Sequence, residues 1–292
     1  MNIDNINMFR SALPACCERV IALHCSGGGA SQWLCFAEML GSRYEVLTPE
    51  HYGCETSGPW TGEHAFTIAD EAAKTIALID DSEARVHLIG HSYGGAVALF
   101  AALSRPNRIA SLSLYEPAAF HLLRQMGERG EAPHAEITGV AQRICEGVVT
   151  GDYRRAVAAF VDYWNGTGAW DMMRAGVQSA LIRYAPKGPL DFEAAINDPT
   201  PASAYRELYF PVLILRGEHT RLPTRVIAEG LSELLPINRL VVINGAGHMG
   251  PLTHTSEVSA LIRRHIVDAD AQPRRWRASD LVEAVRTARA VS

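Results

Sequence analysis

The sequence predicts an α/β protein: a mostly parallel central sheet flanked by helices, with an all-helical stretch inserted between strands. Three observations predict it. Short apolar, β-branched runs alternate with helical segments along most of the chain, the pattern of parallel strands joined by crossover helices. One such run, Arg85-Val86-His87-Leu88-Ile89, passes through Gly90-His91-Ser92-Tyr93-Gly94 straight into the apolar segment Gly95 to Leu103. From about Phe120 to Arg206 the alternation stops and helical periodicity takes over.

The bulk numbers suit this class. At 292 residues, 48% hydrophobic and 20% charged, the chain can bury a sizeable core in one large domain or two small ones. A net charge of −5 creates no field to draw in nucleic acid or an anionic membrane. The longest apolar run, Gly94 to Leu103, is too short to span a bilayer. Met1-Asn2-Ile3-Asp4-Asn5 has neither a basic start nor an apolar core, so no signal peptide is expected. Six cysteines (Cys16, Cys17, Cys25, Cys35, Cys54 and Cys145) form no C-x-x-C pair. Reduced thiols in a cytoplasm are the simplest account.

The elements follow in order. Arg19-Val20-Ile21-Ala22-Leu23 is a buried strand that runs into His24-Cys25-Ser26-Gly27-Gly28-Gly29 and a helix-like Trp33 to Leu40. No Lys-Ser/Thr follows these glycines and no G-x-G-x-x-G is present, so a nucleotide site is not expected. The other use of such a loop is to donate an amide to a developing oxyanion. Tyr44 to Thr48 is the second strand, opening into a turn-rich Pro49 to Ser57. Thr67 with Asp70 reads as a capping box for a helix carrying Ile68, Ala72 and Ile76. After the strand and helix around Ser92, Arg108 to Tyr115 is another strand, ending at Glu116-Pro117.

Within the helical stretch, Ile137, Val140, Ile144 and Val148 form one stripe; Tyr153 to Trp164 and Ala169 to Tyr184 read as two further helices. Lys187-Gly188-Pro189 and Asp198-Pro199-Thr200-Pro201 read as breaks. The aromatics Phe160, Tyr163, Trp164, Trp170 and Tyr184 read as the packing of this stretch, with one or two lining a pocket. The sheet resumes with Pro211 to Arg216, a helix from Thr224 to Leu235, the strand Arg239 to Ile243, the loop Asn244-Gly245-Ala246-Gly247-His248, and a helix from about Ser256 to Ile266. The expected organisation is a core of residues 1–119 and 207–267, a helical cap of residues 120–206, and a helical C-terminal extension of residues 268–292. That extension carries Arg274, Arg275 and Arg277 and could dock on the body or on a second copy, giving a homo-oligomer.

The chemistry concentrates at Ser92. A serine on so sharp a strand-to-helix turn sits in a strained backbone, and glycines two before and two after remove the β-carbons that would clash. Its hydroxyl then stands at the sheet's C-terminal edge with the Tyr93 amide beside it. The alternative is a glycine-rich turn that only packs helix on sheet. A serine hydroxyl needs a base to take its proton, and imidazole can both take it and return it to a leaving group. His248, in a glycine-flanked loop after the last strand, has the placement to reach Ser92. His91 reads as pointing into or along the sheet, His24 as a buttress of the glycine-rich loop, and His51, His64 and His87 as ordinary. A metal site from His51 and Cys54 would need ligands the sequence does not supply.

On these residues the chain resembles the α/β-hydrolase fold superfamily over roughly residues 19 to 266. His24-x-Ser26-Gly27 with Trp33, Gly90-x-Ser92-x-Gly94, Arg216-Gly217-Glu218 and Gly245-x-Gly247-His248 stand in that family's order and spacing. The resemblance implies Ser92 as nucleophile, His248 as general base, and an oxyanion hole from the backbone amides of Ser26 and Tyr93. Cys25 stands where the family usually has glycine. The family's aspartate, three residues after the glycine ending the penultimate strand, is replaced by Thr220, which holds no charge. Glu116, at the end of the strand next to the nucleophile's own, is the first substitute, as in certain haloalkane dehalogenases. Their aspartate nucleophile is absent here. Glu116 could equally be a structural carboxylate bonding loop amides. Glu218 is the second choice, a serine–histidine dyad the third, and Glu50 reads as a turn residue.

The resulting expectation is an ester, thioester or lactone hydrolase acting through an acyl-enzyme on a small, largely apolar molecule. It needs no metal or organic cofactor and has no nucleic-acid or membrane partner. Carbon–carbon bond hydrolysis, a lyase step or acyl transfer could run on the same constellation. A non-catalytic binding protein of the same fold is the remaining alternative.

Overall fold

The computed structural model describes residues 18–54 and 56–271. Six strands form one sheet in the order β2-β1-β3-β4-β5-β6, and every neighbouring pair is parallel. The strands are β1 (Glu18–Leu23), β2 (Tyr44–Leu47), β3 (Val86–His91), β4 (Ile109–Tyr115), β5 (Val212–Gly217) and β6 (Asn238–Ile243). All lie within about two residues of the stretches read from the sequence, because continuous apolar runs are what a strand covered on both faces requires.

Helices supply that cover. On one face α1 (Leu34–Leu40) and α10 (Thr255–Ala271) contribute Phe36, Leu40, Val258, Ile262 and Ile266 to a shared core. On the other, α2 (Ile68–Asp80), α3 (Tyr93–Ser104) and α8 (Leu222–Leu234) bury Ile68, Val97, Leu99, Ile227 and Leu231. The capping box predicted for α2 is present, with Thr67 and Asp70 bonding reciprocally.

Strand order decides where a ligand can enter. From β1 the chain winds outward to β2, then crosses back over β1 to β3 and continues the other way to β6. The loops leaving β1 and β3 therefore part in opposite directions at the carboxyl ends of adjacent strands, and that divergence opens a crevice. His24 to Gly29 and Ser92 both lie at it.

Between β4 and β5 the described chain has no strand. A 3-10 turn (Phe120–Gln125) leads to α4 (Glu128–Val149), α5 (Tyr153–Asn165), α6 (Ala175–Tyr184) and α7 (Gly188–Ile196). The predicted helical stripe is buried at Ile137, Val140 and Ile144. Three expectations here are corrected. The helix expected over Ala169 to Tyr184 starts only at Ala175, because the Asp162 carboxylate accepts the Gly168 and Trp170 amides and holds that stretch in turns. Lys187-Gly188-Pro189 is the start of α7 rather than a break, since proline in a helix's first turn loses no intrahelical bond. Finally, α10 runs through Ala271, so Asp268 and Asp270 belong to it and not to a separate extension. The short remaining helix is α9 (Gly250–Thr253). The expected oligomer-forming helix beyond residue 271 lies outside the described residues. Among the described residues no helix is long and apolar enough to cross a membrane.

Candidate active site

Ser92 occupies the turn between β3 and α3 with φ 54°, a left-handed conformation foreign to most side chains. Its backbone is pinned from several directions. The Ser92 amide donates to the Tyr115 carbonyl at 3.0 Å, while its carbonyl accepts from Gly95, Ala96 and Ala118. The flanking glycines are sterically required. A β-carbon at Gly90 would lie 2.5 Å from the Gly94 carbonyl oxygen, and one at Gly94 would lie 2.4 Å from the His24 carbonyl oxygen.

His248 comes from the loop after β6 and places Nε2 2.9 Å from Ser92 Oγ. Its other nitrogen, Nδ1, lies 2.7 Å from Glu116 Oε2. Glu116 immediately follows β4, at φ 43° and fully buried. Among the described residues, Ser92 and Glu116 are the non-glycine residues with positive φ, so backbone strain is concentrated on this pair. Burial alone would raise the Glu116 pKa. The His248 hydrogen bond and charge, the Gly217 amide (2.9 Å) and the Thr220 hydroxyl (2.7 Å) outweigh burial and hold it below the ordinary value. Thr224 adds a hydroxyl at 3.2 Å. Thus Thr220, which replaces the aspartate expected from the resemblance, donates to Glu116. Glu218 bonds the Gly245 amide at 2.8 Å instead of His248, and ties the ends of β5 and β6 together. Glu50 accepts the Ala30 amide and the Thr56 hydroxyl, a turn role.

Two donors hold the His248 loop in place. His91 Nε2 donates to the His248 carbonyl at 2.8 Å, and the Tyr115 hydroxyl donates to the Gly247 carbonyl at 2.7 Å. His91 is fully buried; burial first, then the proximity of His248, pushes its pKa down to about 3, so it stays a neutral donor.

The glycine-rich loop after β1 is braced as expected of His24, whose Nδ1 donates to the Cys25 carbonyl at 2.8 Å. His51 and Cys54 turn to this brace: the His51 amide and the Cys54 thiol both face His24 Nε2. Ser26 stands in the loop after β1 and Tyr93 at the start of α3, beside the crevice between β1 and β3.

Several contacts escaped the sequence reading. The indole of Trp164, at the end of α5, stacks on the His248 imidazole with centroids 3.9 Å apart and planes at 22°. Lys187 is buried between Glu71 of α2 (2.8 Å) and Asp191 of α7. Asp191 also accepts from Ser26 Oγ at 2.6 Å and the Tyr184 hydroxyl at 2.7 Å. Glu71 accepts the Tyr52 amide and the Tyr93 hydroxyl. Buried charges thereby join the helical insertion to Ser26 and Tyr93. A signal existed for Glu71: with Ile68, Ala72, Thr75 and Ile79 it shares the buried face of α2. At the opposite sheet edge, Glu18, His87 and Asp270 bring ligand-type atoms within 4.8 Å of one another. His87 there is bonded to Asp270 and Ser111.

Two cavities flank the site. One of about 820 Å³ is bounded by Gly27, Gly28, Trp60, Arg183 and Lys187. The other, about 690 Å³, opens on His248, Trp164, Thr220, Arg221 and His254.

Fold and site together define a class. The chain belongs to the alpha/beta hydrolase family, whose profile matches residues 20–261. It is 25% identical to a pimeloyl-acyl-carrier-protein methyl ester esterase of Aeromonas hydrophila, over 85% of this chain and 94% of that one. It is 24% identical to the dihydrolipoyllysine-residue acetyltransferase component of an acetoin cleaving system from Cupriavidus necator, over 91% of this chain and 68% of the relative. Among solved structures it resembles an alpha/beta hydrolase from a Medee basin deep-sea metagenome library, with TM-score 0.74, 16% identity and coverage of 88% and 92%.

Proposed function

We propose that this protein is a serine hydrolase that cleaves an ester, thioester or lactone of a small, largely apolar molecule through an acyl-enzyme. One observation carries the reading: the unbroken chain from Ser92 Oγ to His248 Nε2 at 2.9 Å and from His248 Nδ1 to Glu116 at 2.7 Å. In the proposed mechanism, Ser92 attacks the carbonyl carbon as His248 Nε2 takes its proton. Glu116, ionised and buried, keeps the Nδ1–H directed at itself and offsets the charge of the imidazolium. The Ser26 and Tyr93 amides receive the developing oxyanion. His248 returns the proton to the leaving group, and water, activated by the same nitrogen, then releases the acyl group.

The helical insertion, residues 120–206, serves as the cap that selects the substrate. A run of aromatic contacts supports an apolar acyl group: Trp164 packs on His248, Phe160 on Trp164, Phe192 on Phe160 and Phe120 on Phe192. The esterase from Aeromonas hydrophila is the relative whose chemistry this reading matches. A cytoplasmic setting is supported by the described cysteines, Cys25, Cys35, Cys54 and Cys145, being free thiols.

A fluorophosphonate probe followed by peptide mapping tests the reading. Ser92 is expected to carry the label and Ser92→Ala to lose it, with hydrolysis of p-nitrophenyl acyl esters lost in parallel. An unlabelled wild type would leave a binding protein of this fold.

A further inference from the structure

We propose that Trp164 is a positioning residue for His248, fixing the plane of the imidazole and stabilising the positive charge it acquires when it takes the Ser92 proton. The proposal rests on the serine-hydrolase reading. In-plane contacts fix the ring's edges, Nδ1 to Glu116 and Nε2 to Ser92, but they do not stop it rocking about the line joining them. A flat surface against the ring does. The indole lies 3.9 Å away at 22° and is itself held by Tyr163 (4.7 Å, 73°) and Phe160 (6.4 Å, 76°). Its own N–H is buried with no protein acceptor among the described residues. An indole face is also the strongest of the side-chain π-surfaces for a cation, and it attracts imidazolium more than imidazole. The stabilisation therefore grows as the proton moves, which lowers the barrier to attack. Because Trp164 belongs to the helical insertion, the site is complete only with that insertion in place.

The test compares the rate of labelling of Ser92 by a small fluorophosphonate in the wild type, Trp164→Leu, Trp164→Phe and Trp170→Leu. Trp170 is equally buried in the same insertion but packs with Val157, Val161 and Ala185. Trp164→Leu is expected to label about 2- to 30-fold more slowly, with Trp164→Phe recovering part of the loss and Trp170→Leu at the wild-type rate. Proton NMR of the wild type, assigned by difference with His248→Gln, is expected to show the His248 ring protons moved upfield by the indole ring current. The proposal is overturned if Trp164→Leu labels at the wild-type rate, if Trp170→Leu slows labelling as much, or if the upfield displacement is absent. Should Trp164→Leu not fold, the Phe variant and the wild-type spectrum decide. An unlabelled wild type that still shows the ring-current displacement would instead overturn the hydrolase reading.

Discussion

Replacing Glu116 by glutamine is the sharpest perturbation available, because it removes a charge while keeping the shape. The Gly217 amide, 2.9 Å from Oε1, is a fixed donor and selects the amide oxygen for that side. The new NH2 group then falls at the Oε2 position, 2.7 Å from His248 Nδ1, and donates to it. Nδ1 must become an acceptor, so the ring's proton moves to Nε2 and points at Ser92. In the proposed mechanism the base then has no lone pair where it is needed, and no anion offsets an imidazolium. Wrong-tautomer variants of this kind lose about 10⁴-fold in kcat, equivalent to about 5 kcal/mol of barrier. Glu116 is fully buried, so KM should barely change. The assay is p-nitrophenyl ester turnover and fluorophosphonate labelling on Glu116→Gln, with chemical denaturation confirming that it folds. Activity within tenfold of the wild type in a folded variant would refute the assignment. As a rescue, Thr220→Asp in the Glu116→Gln background returns a carboxylate to the neighbouring position, whose hydroxyl is 2.7 Å from Glu116 Oε1, and at least a tenfold recovery is expected.

Two predictions concern stability. Burial, then repulsion from a neighbouring histidine, pushes the pKa of both His24 and His91 down to about 3. Below the unfolded value of about 6.5 the unfolded chain binds protons that the folded one refuses, so stability is full above that pH and falls toward about pH 3. Two such groups give a loss of roughly 2–3 kcal/mol between pH 6 and pH 5; equal urea midpoints at the two pH values would contradict it. Lys187→Met strips the buried carboxylates of Glu71 and Asp191 of their shared cation. A destabilisation of about 3–5 kcal/mol is expected in guanidinium titrations, and a loss below about 1 kcal/mol would show the carboxylates satisfied by their hydroxyl and amide donors alone.

Much of this molecule was legible from residue order. Strands covered on both faces need near-continuous apolar runs, so Val86 to Ile89, broken only by His87, and Val212 to Leu215 announce themselves. Glu116 could be placed because Arg108 to Tyr115 reads as the strand following the one that leads into Ser92, and neighbouring parallel strands end at the same edge. Packing between the insertion and the core was not legible. Trp164 and His248 are far apart in sequence, and no local pattern says which of five aromatics turns inward. The ionic cluster was half legible. Tyr184, Lys187 and Asp191 recur at the three- and four-residue spacing of one helical face, but glycine and proline at 188 and 189 read as an interruption. Ala169 to Met173 looked helical because composition does not reveal that a distant aspartate, Asp162, captures those amides.

The seat of Glu116 has a mechanical consequence. His91 and Tyr115 are register partners on adjacent strands, so Ser92 and Glu116 each follow directly on the last rung of a single hydrogen-bonded ladder. Their spacing is as stiff as the sheet itself. Only the imidazole travels in on a loop, anchored through the carbonyls of Gly247 and His248. Thermal loosening of residues 245–249 would thus silence the site while the remaining architecture stands intact, so heat inactivation should precede loss of helical signal on warming.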